Sequence, residues 1–250
     1  MMKTPQGTPF GISGDKPAKP APTLFIFANA LETMNDPAYE IYSRTGRQLA
    51  KDGWIFVVIN PPCHGEDHRP DEPGGLSGWA HRLKNGEDLT GDFVKNCNDV
   101  VEHVIAEGYT DPEQLAASGT SRGGFCALHF AAAEPRVKAV SGVAPVTDLL
   151  ALTEFDGMDD HEPTKARHAY HLAEQLAGRK VLLTIGNDDH RVSTDECVAT
   201  ARNYVKVARQ KLPELKVIPV EIIVGPSDGH HAVDNAYEIE IAWFRKMMPQ

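Results

Sequence analysis

The stretch Ser118-Gly119-Thr120-Ser121-Arg122-Gly123-Gly124 contains the pattern G-x-S-x-G. An apolar run over residues 114–117 precedes it, and a helix-forming run over residues 125–133 follows it. This order of strand, turn and helix is typical of a nucleophile elbow, a sharp turn that exposes a serine hydroxyl above a sheet. Small residues are required beside the serine, because a side chain at Gly119 or Gly123 would collide with nearby backbone. The stretch therefore predicts Ser121 as a nucleophile.

Strands and helices alternate along the rest of the chain. Apolar runs predict strands over residues 23–28, 54–59, 137–143, 181–185 and 217–224, with apolar residues at helical spacing between them. The same spacing predicts a closing helix through Val233, Tyr237, Ile241 and Phe244. Strands that are apolar on both faces, each followed by a helix, predict an α/β fold with a mostly parallel central sheet and helices on both faces.

A single domain is expected over residues 23–250. Residues 1–22, rich in Gly, Pro and Lys, predict an extended N-terminal arm or a poor edge strand. Residues 60–87 are expected to form a long irregular loop. Residues 149–178 interrupt the alternation, and we expect a small, cap-like insertion there.

The composition limits the classes of partner. With 250 residues, 41% of them hydrophobic, the chain can bury a substantial core. A net charge of −10 argues against nucleic acid or an anionic membrane as the main partner. Four scattered cysteines without a C-x-x-C pair favour reduced thiols over disulfides or a zinc site. Without a signal peptide or an apolar membrane-spanning run, the cytoplasm is the expected location unless a leader has been removed. The oligomeric state is left open.

Candidate acid and base residues follow the last two predicted strands. In a parallel sheet, reactive groups lie beyond the carboxyl ends of the strands. Asp188 and Asp189 follow the strand over residues 181–185, while His230 and His231 follow the last strand. The chain order Ser, Asp, His is the order found when such a triad is built around an elbow in the middle of a sheet.

At these residues the chain resembles the α/β-hydrolase superfamily. Within it, the resemblance is to dienelactone-hydrolase-like esterases and to the catalytic domains of prolyl-oligopeptidase-type peptidases. It extends from about residue 22 to the C-terminus and includes the whole run over residues 111–124. In that branch the acid heads a D-x-x-V sequence, which selects Asp189 here, and the base follows a glycine, which selects His230. Position 121 is serine, whereas dienelactone hydrolases proper use cysteine.

The resemblance implies a role for each residue. Ser121 attacks an acyl carbon, His230 takes the serine proton, and Asp189 orients the imidazole. The backbone N–H groups of Arg122 and Leu31 are expected to bind the oxyanion. The superfamily commonly has His-Gly where this chain has Asn29-Ala30, so Ala30 is the alternative second donor. No cofactor and no metal are required.

Other polar residues offer weaker alternatives. The cluster over residues 63–68 contains His64, Asp67 and His68 but lacks the H-x-H-x-D-H spacing of binuclear metallohydrolases, so a metal site is not favoured there. Arg191 could bind a substrate carboxylate or form a surface ion pair. The histidines of the insertion are expected on a solvated helix or near substrate: His161, His168 and His171.

Three functions fit the sequence. We expect foremost a serine hydrolase that cleaves carboxylic esters of a small or medium acyl substrate. A serine peptidase with aminopeptidase-like amide hydrolysis is the alternative. A non-catalytic α/β-hydrolase used as a binding module is the third, although such proteins usually lose part of the triad. The sequence does not name the acyl or alcohol group.

Overall fold

One sheet of eight strands, in the order β1-β2-β4-β3-β5-β6-β7-β8, lies at the centre of the computed structural model, which describes residues 1–28, 30–33 and 35–249. Strands β3 to β8 run parallel to one another, whereas β1 and β2 are antiparallel to their neighbours. The mostly parallel sheet predicted from the sequence is therefore confirmed. The strands are β1 (Met2–Lys3), β2 (Pro9–Ser13), β3 (Ala21–Phe27), β4 (Ile55–Val58), β5 (Thr110–Thr120), β6 (Val137–Val143), β7 (Lys180–Gly186) and β8 (Val220–Gly225).

Helices cover both faces of the sheet, as predicted. Leu24 and Phe25, neighbours in β3, belong to different hydrophobic clusters because successive side chains of a strand point to opposite faces. Helices α1 and α7 pack with Leu24, whereas α2, α3, α4 and α6 pack with Phe25. The helices are α1 (Glu40–Ala50), α2 (Gly75–Lys84), α3 (Leu89–Ala106), α4 (Arg122–Ala133), α5 (Glu162–Lys165), α6 (Thr194–Lys211) and α7 (Ala236–Met247).

The N-terminal segment belongs to the sheet. Strand β2 pairs with β4 through Gly11 and Val58, and Phe10 is fully buried in the core beneath it. Strand β1 lies at the edge of the sheet with β2 beside it, so of the two expectations for residues 1–22 the edge strand describes this segment better than an arm does.

Three element boundaries also differ from the predictions. The expected loop over residues 60–87 contains α2, whose Trp79 is fully buried and donates its indole N–H to the Pro62 carbonyl. The strand expected from residue 217 begins at Val220, and the closing helix, expected to pass through Val233, begins at Ala236. Glycines in α2 and prolines before it conceal the helical pattern in the sequence.

Residues 149–178 form no large cap. They contain α5 and three short 3₁₀ turns, and Leu149, Phe155 and Ala169 are buried in the same core as α6. The segment thus extends the helical layer on one face of the sheet.

Two global features accord with the sequence. The four cysteines are buried and free, and burial raises the pKa of the Cys63 and Cys197 thiols to about 12. Within the described ranges, no helix combines the length and the apolar character that a membrane span requires.

Candidate active site

Ser121 lies at the sharp turn between β5 and α4. Its φ of 54° and ψ of −120° place it in a backbone conformation that non-glycine residues seldom adopt. Backbone hydrogen bonds hold this geometry: the Ser121 N–H donates to the Val143 carbonyl at 2.9 Å, and the Ser121 carbonyl accepts from Gly124 and Val146. The serine is therefore fixed at the carboxyl end of the central strand.

The two glycines beside the serine are required by close backbone contacts. A Cβ atom on Gly119 would lie 2.0 Å from the carbonyl oxygen of Gly123, and one on Gly123 would lie 1.7 Å from the carbonyl oxygen of Phe27. Both distances are far below van der Waals contact. The collision predicted for side chains at these positions is confirmed.

The structure brings Ser121, His230 and Asp189 together. The Ser121 hydroxyl lies 3.0 Å from Nε2 of His230 and can donate to it, while Nδ1 of His230 donates to Oδ2 of Asp189 at 2.7 Å. Asp189 lies in the loop after β7 and His230 in the loop after β8, at the same edge of the sheet as the elbow. A Ser-His-Asp triad requires this arrangement of hydrogen bonds.

The loop after β7 holds the Asp189 carboxylate in place. The side chain is fully buried, and its second oxygen, Oδ1, accepts the N–H groups of Arg191 and Val192 at 3.0 and 3.1 Å. The neighbouring Asp188 is 58% exposed and pairs with His190 at 2.9 Å. Thus Asp189, and not Asp188, faces the imidazole.

The two predicted oxyanion donors are placed differently. Arg122 is the first residue of α4 and lines the cavity beside Ser121. The N–H of Leu31 instead donates to Oδ1 of Asn60 at 2.5 Å, and Leu31 is buried away from that cavity. Because its N–H is already bound to Asn60, Leu31 is disfavoured as the second donor. Asn29 lies outside the described residues, and Ala30 is the alternative that the sequence names.

A cavity of about 460 Å³ adjoins Ser121 and His230. Burial raises the pKa of Tyr237 to about 12, so its phenol remains neutral at pH 7. Arg191 binds both carboxylate oxygens of Glu154 at 2.6 and 2.8 Å. Burial is the largest single influence on Glu154 and raises its pKa, but the hydrogen bonds and charge of Arg191 and a backbone hydrogen bond together lower the pKa of this carboxyl. The other lining residues are mostly apolar or aromatic: Ala28, Ile41, Tyr42, Leu76, Thr120, Arg122, Ala144, His231 and Ala232.

Sequence reasoning missed the residues that shape this cavity. Ile41 and Tyr42 lie in α1, and Tyr237 lies in α7, where its hydroxyl is 3.2 Å from Oγ1 of Thr120. The helical pattern in the sequence predicts which side of α7 faces the sheet. It does not predict that α1 and α7 lie next to Ser121, because this depends on the order of the strands in the sheet. By contrast, residues 149–178 contribute no lining residue, so His161 and His171 do not line this cavity.

The side chains of the histidine cluster after β4 form hydrogen bonds within their own loop and with α2. Nδ1 of His64 lies 2.8 Å from the Pro62 carbonyl, and Nε2 of His68 lies 2.9 Å from the Glu72 carbonyl. Asp67 accepts from the backbone N–H of Cys63 and from the Arg82 guanidinium, both at 2.7 Å. These side chains thus build the loop and do not converge on a common point.

Comparison with known proteins identifies the family. Residues 46–249 match the prolyl oligopeptidase family. The chain belongs to this family. It is 26% identical over 234 residues to an acylamino-acid-releasing enzyme of Arabidopsis thaliana. This alignment covers 82% of the present chain but only 28% of the plant enzyme.

Solved structures of the same fold include both peptidases and esterases. Dipeptidyl peptidase 4 of Porphyromonas gingivalis superposes with a TM-score of 0.68 and 16% sequence identity. The superposition covers 98% of the present chain and 34% of the peptidase chain. An acetyl xylan esterase from a Paenibacillus species superposes with a TM-score of 0.69 and 18% identity, covering 98% of this chain and 82% of its own. The predicted resemblance to α/β-hydrolases of this branch is confirmed, and at these identities the superpositions show the fold alone.

Proposed function

We propose that this chain is a serine hydrolase that cleaves carboxylic esters through an acyl-enzyme on Ser121. The observation that carries the proposal is the continuous chain of hydrogen bonds from Ser121 Oγ through His230 to Asp189, at 3.0 and 2.7 Å. Family membership supports hydrolysis by a serine nucleophile. The adjoining cavity of about 460 Å³ gives the acyl substrate a place beside the serine.

The first half of the reaction forms the acyl-enzyme. As Ser121 Oγ bonds to the ester carbonyl carbon, Nε2 of His230 takes the hydroxyl proton and the carbonyl oxygen becomes an oxyanion. Buried Asp189 stabilises the imidazolium that results, because its carboxylate accepts the Nδ1 proton in a hydrogen bond. The C–O bond to the alcohol then breaks, and His230 returns its proton to the departing oxygen.

The second half releases the acid. Water attacks the acyl carbon, His230 accepts a water proton, and Ser121 leaves with that proton as the acid dissociates. The N–H of Arg122, directly after the nucleophile, would bind the oxyanion in both halves. Ala30 is the proposed second donor, since the Leu31 N–H is bound to Asn60.

Amide cleavage is the second candidate. It is favoured by the curated relative, whose name is acylamino-acid-releasing enzyme, and by the family itself. An ester requires less of the site, because an alkoxide is a far better leaving group than an amide anion, so an amide nitrogen must be protonated before its C–N bond can break. For this chemical reason we place ester cleavage first.

A fluorophosphonate probe tests the nucleophile. We expect one covalent label, on Ser121, and a loss of turnover on the order of a million-fold in Ser121→Ala if the triad acts as a unit. Ser77→Ala is the matched control, because Ser77 is exposed on α2 beside the cavity-lining Leu76. Labelling of another residue, or full turnover in Ser121→Ala, would overturn the proposal.

A substrate series then separates ester from amide cleavage. The same preparation is assayed with p-nitrophenyl esters of increasing acyl length and with N-acylaminoacyl and free aminoacyl amides. We expect the highest kcat/KM for a short or medium ester. Turnover of the N-acylaminoacyl amides at a higher kcat/KM than any ester would replace the ester proposal with the amide one, while Ser121 would keep its role.

A further inference from the structure

Three metal-ligating side chains converge outside the active site. Asp148, His168 and Glu196 each present one ligand atom, and these atoms all lie within 4.8 Å of one another. Nε2 of His168 is 3.5 Å from Oε2 of Glu196. Two ligands bound to one zinc ion are separated by a comparable distance, since each lies about 2.0–2.2 Å from the metal.

The fold brings these residues together from three separate segments. Asp148 follows β6, and its Oδ1 accepts the Leu150 N–H, which leaves its other oxygen for another partner. The N–H of Ala169 donates to the Thr147 carbonyl at 2.7 Å and so fixes the segment carrying His168 beside Asp148. Glu196 lies in the first turn of α6.

The cluster carries negative charge without a balancing cation. Neither Asp148 nor Glu196 forms an ion pair with lysine or arginine in the described part of the chain. Two carboxylates and an imidazole nitrogen form a donor set that suits a divalent cation.

Buried polar atoms at the cluster also lack partners. Nε2 of His168 is inaccessible to solvent and makes no hydrogen bond to any described residue. Thr200, one helical turn after Glu196 on the same face of α6, is fully buried, and its hydroxyl is likewise unpartnered among the described residues. Buried polar groups without partners are uncommon and indicate a missing ligand, ion or water.

We propose that Asp148, His168 and Glu196 bind a divalent cation of the zinc class. One imidazole and two carboxylates suit zinc and similar transition metals, whereas calcium and magnesium prefer oxygen ligands alone. Water would complete the coordination.

The position of the site assigns it a structural role. Glu196 lies in the first turn of α6. Thr194, in the same turn, donates its hydroxyl to the Gly186 carbonyl at the end of β7. The N–H of Asp189 donates in turn to Oγ1 of Thr194. A cation bound to Glu196 would therefore stabilise the first turn of α6, and through Thr194 the loop that contains Asp189.

Zinc binding by the full chain tests the proposal. Protein stripped with EDTA is dialysed against micromolar Zn²⁺ and its metal content is measured. We expect close to one equivalent in the wild type and a rise in Tm with zinc, because a ligand that binds the folded state stabilises it. Ca²⁺ at the same concentration should leave Tm unchanged.

The variants are chosen to keep the fold. Asp148→Asn and Glu196→Gln preserve side-chain shape, and with His168→Ala each should weaken zinc binding by more than the roughly 10- to 100-fold caused by loss of an outer-shell partner. His171→Ala, in ring contact with His168 but outside the cluster, should bind like the wild type. Equal binding by all variants would show adventitious zinc elsewhere and overturn the proposal, as would a wild type that binds none.

Cobalt gives a readout that does not depend on the variants. Co²⁺ bound to the wild type by one imidazole and two carboxylates should produce visible d–d absorption that Zn²⁺ displaces. If the variants fail to fold, the presence or absence of this displaceable absorption in the wild type decides the proposal. Ester turnover, measured well below Tm, should survive EDTA, since the cation is not placed at Ser121.

Discussion

At the scale of single residues, two adjacent aspartates have different surroundings. Asp189 is fully buried and bonds to His230, whereas Asp188 is 58% exposed and pairs with His190. A buried carboxylate with fixed hydrogen bonds can hold an imidazole in one tautomer and orientation. An exposed one, screened by water, cannot do so to the same degree.

We therefore predict that Asp189→Asn lowers kcat far more than Asp188→Asn. The asparagine amide would present a donor to Nδ1 and favour the wrong tautomer, at a cost on the order of ten-thousand-fold in other triad hydrolases. Asp188→Asn is the matched control, with an expected loss below about tenfold. Steady-state kinetics on an activated ester measure both, and equal losses would mean that the acid has been misassigned.

The same residues show how far sequence reasoning reaches. The contact of Ser121 with His230 and of His230 with Asp189 is predictable, because loops after parallel strands must meet at one edge of the sheet. The contact of the Leu31 N–H is not predictable, because it depends on a side chain, Asn60, that lies 29 residues away. A pattern in the sequence contains no signal for that contact.

At the scale of elements, helix α7 carries a buried carboxyl beneath the elbow strand. Glu240 is almost fully buried, and it accepts hydrogen bonds from Ser118 at 2.7 Å and from Thr45. Burial raises its pKa above the ordinary value of 4.5, against the hydrogen bonds, which lower it. Because Ser118 precedes the nucleophile in β5, this carboxyl links α1 and α7 to the strand that supports Ser121.

Glu240→Gln should change how stability depends on pH. Folding raises the pKa of Glu240, so its contribution to stability is full below the unfolded-state pKa and is lost as pH rises through the folded-state pKa. A glutamine does not titrate, so the Tm of the variant relative to the wild type should increase as pH rises above about 4.5.

Thermal melts of both proteins at a series of pH values measure this difference in Tm. All other titratable groups are common to the two proteins, so their effects on Tm cancel in the difference. Glu238→Gln is the control on the same helix, because Glu238 is 52% exposed and pairs with Arg44 at the surface. That variant removes only a surface ion pair, so it should change the melts far less than Glu240→Gln does. A Glu240→Gln curve that is parallel to the wild type would show that this carboxyl does not titrate differently on folding.

Elements themselves are predicted well where apolar periodicity is strong. The strands that flank the elbow are buried on both faces and were found to within a few residues. Helix α2 was missed because Gly75 and Gly78 argue against a helix, yet a Cβ on Gly78 would lie only 2.3 Å from the Pro73 carbonyl. Packing, and not helix propensity, dictates glycine there.

At the scale of the whole molecule, the domain includes its N-terminal residues. Strand β2 pairs antiparallel with β4 and extends the sheet beyond the parallel strands. Phe10, the second residue of β2, is fully buried and packs against His103 of α3 with ring centroids 5.6 Å apart. The Gly- and Pro-rich surroundings of this strand hide it in the sequence, since β2 has one deeply buried ring in place of a long apolar run.

Phe10→Ala should therefore destabilise the whole domain. Truncation of a buried phenylalanine costs about 3–5 kcal/mol in other proteins, because apolar contacts are lost and a cavity remains. Met2→Ala is the matched control: Met2 lies in β1 and is 38% exposed, so the change should stay within about 0.5 kcal/mol. Urea unfolding of the full chain measures both free energies. A loss below about 1 kcal/mol in Phe10→Ala would mean that residues 1–22 add little to the domain, as a separate arm would, whereas a loss of the expected size would place the start of the folding unit before residue 10.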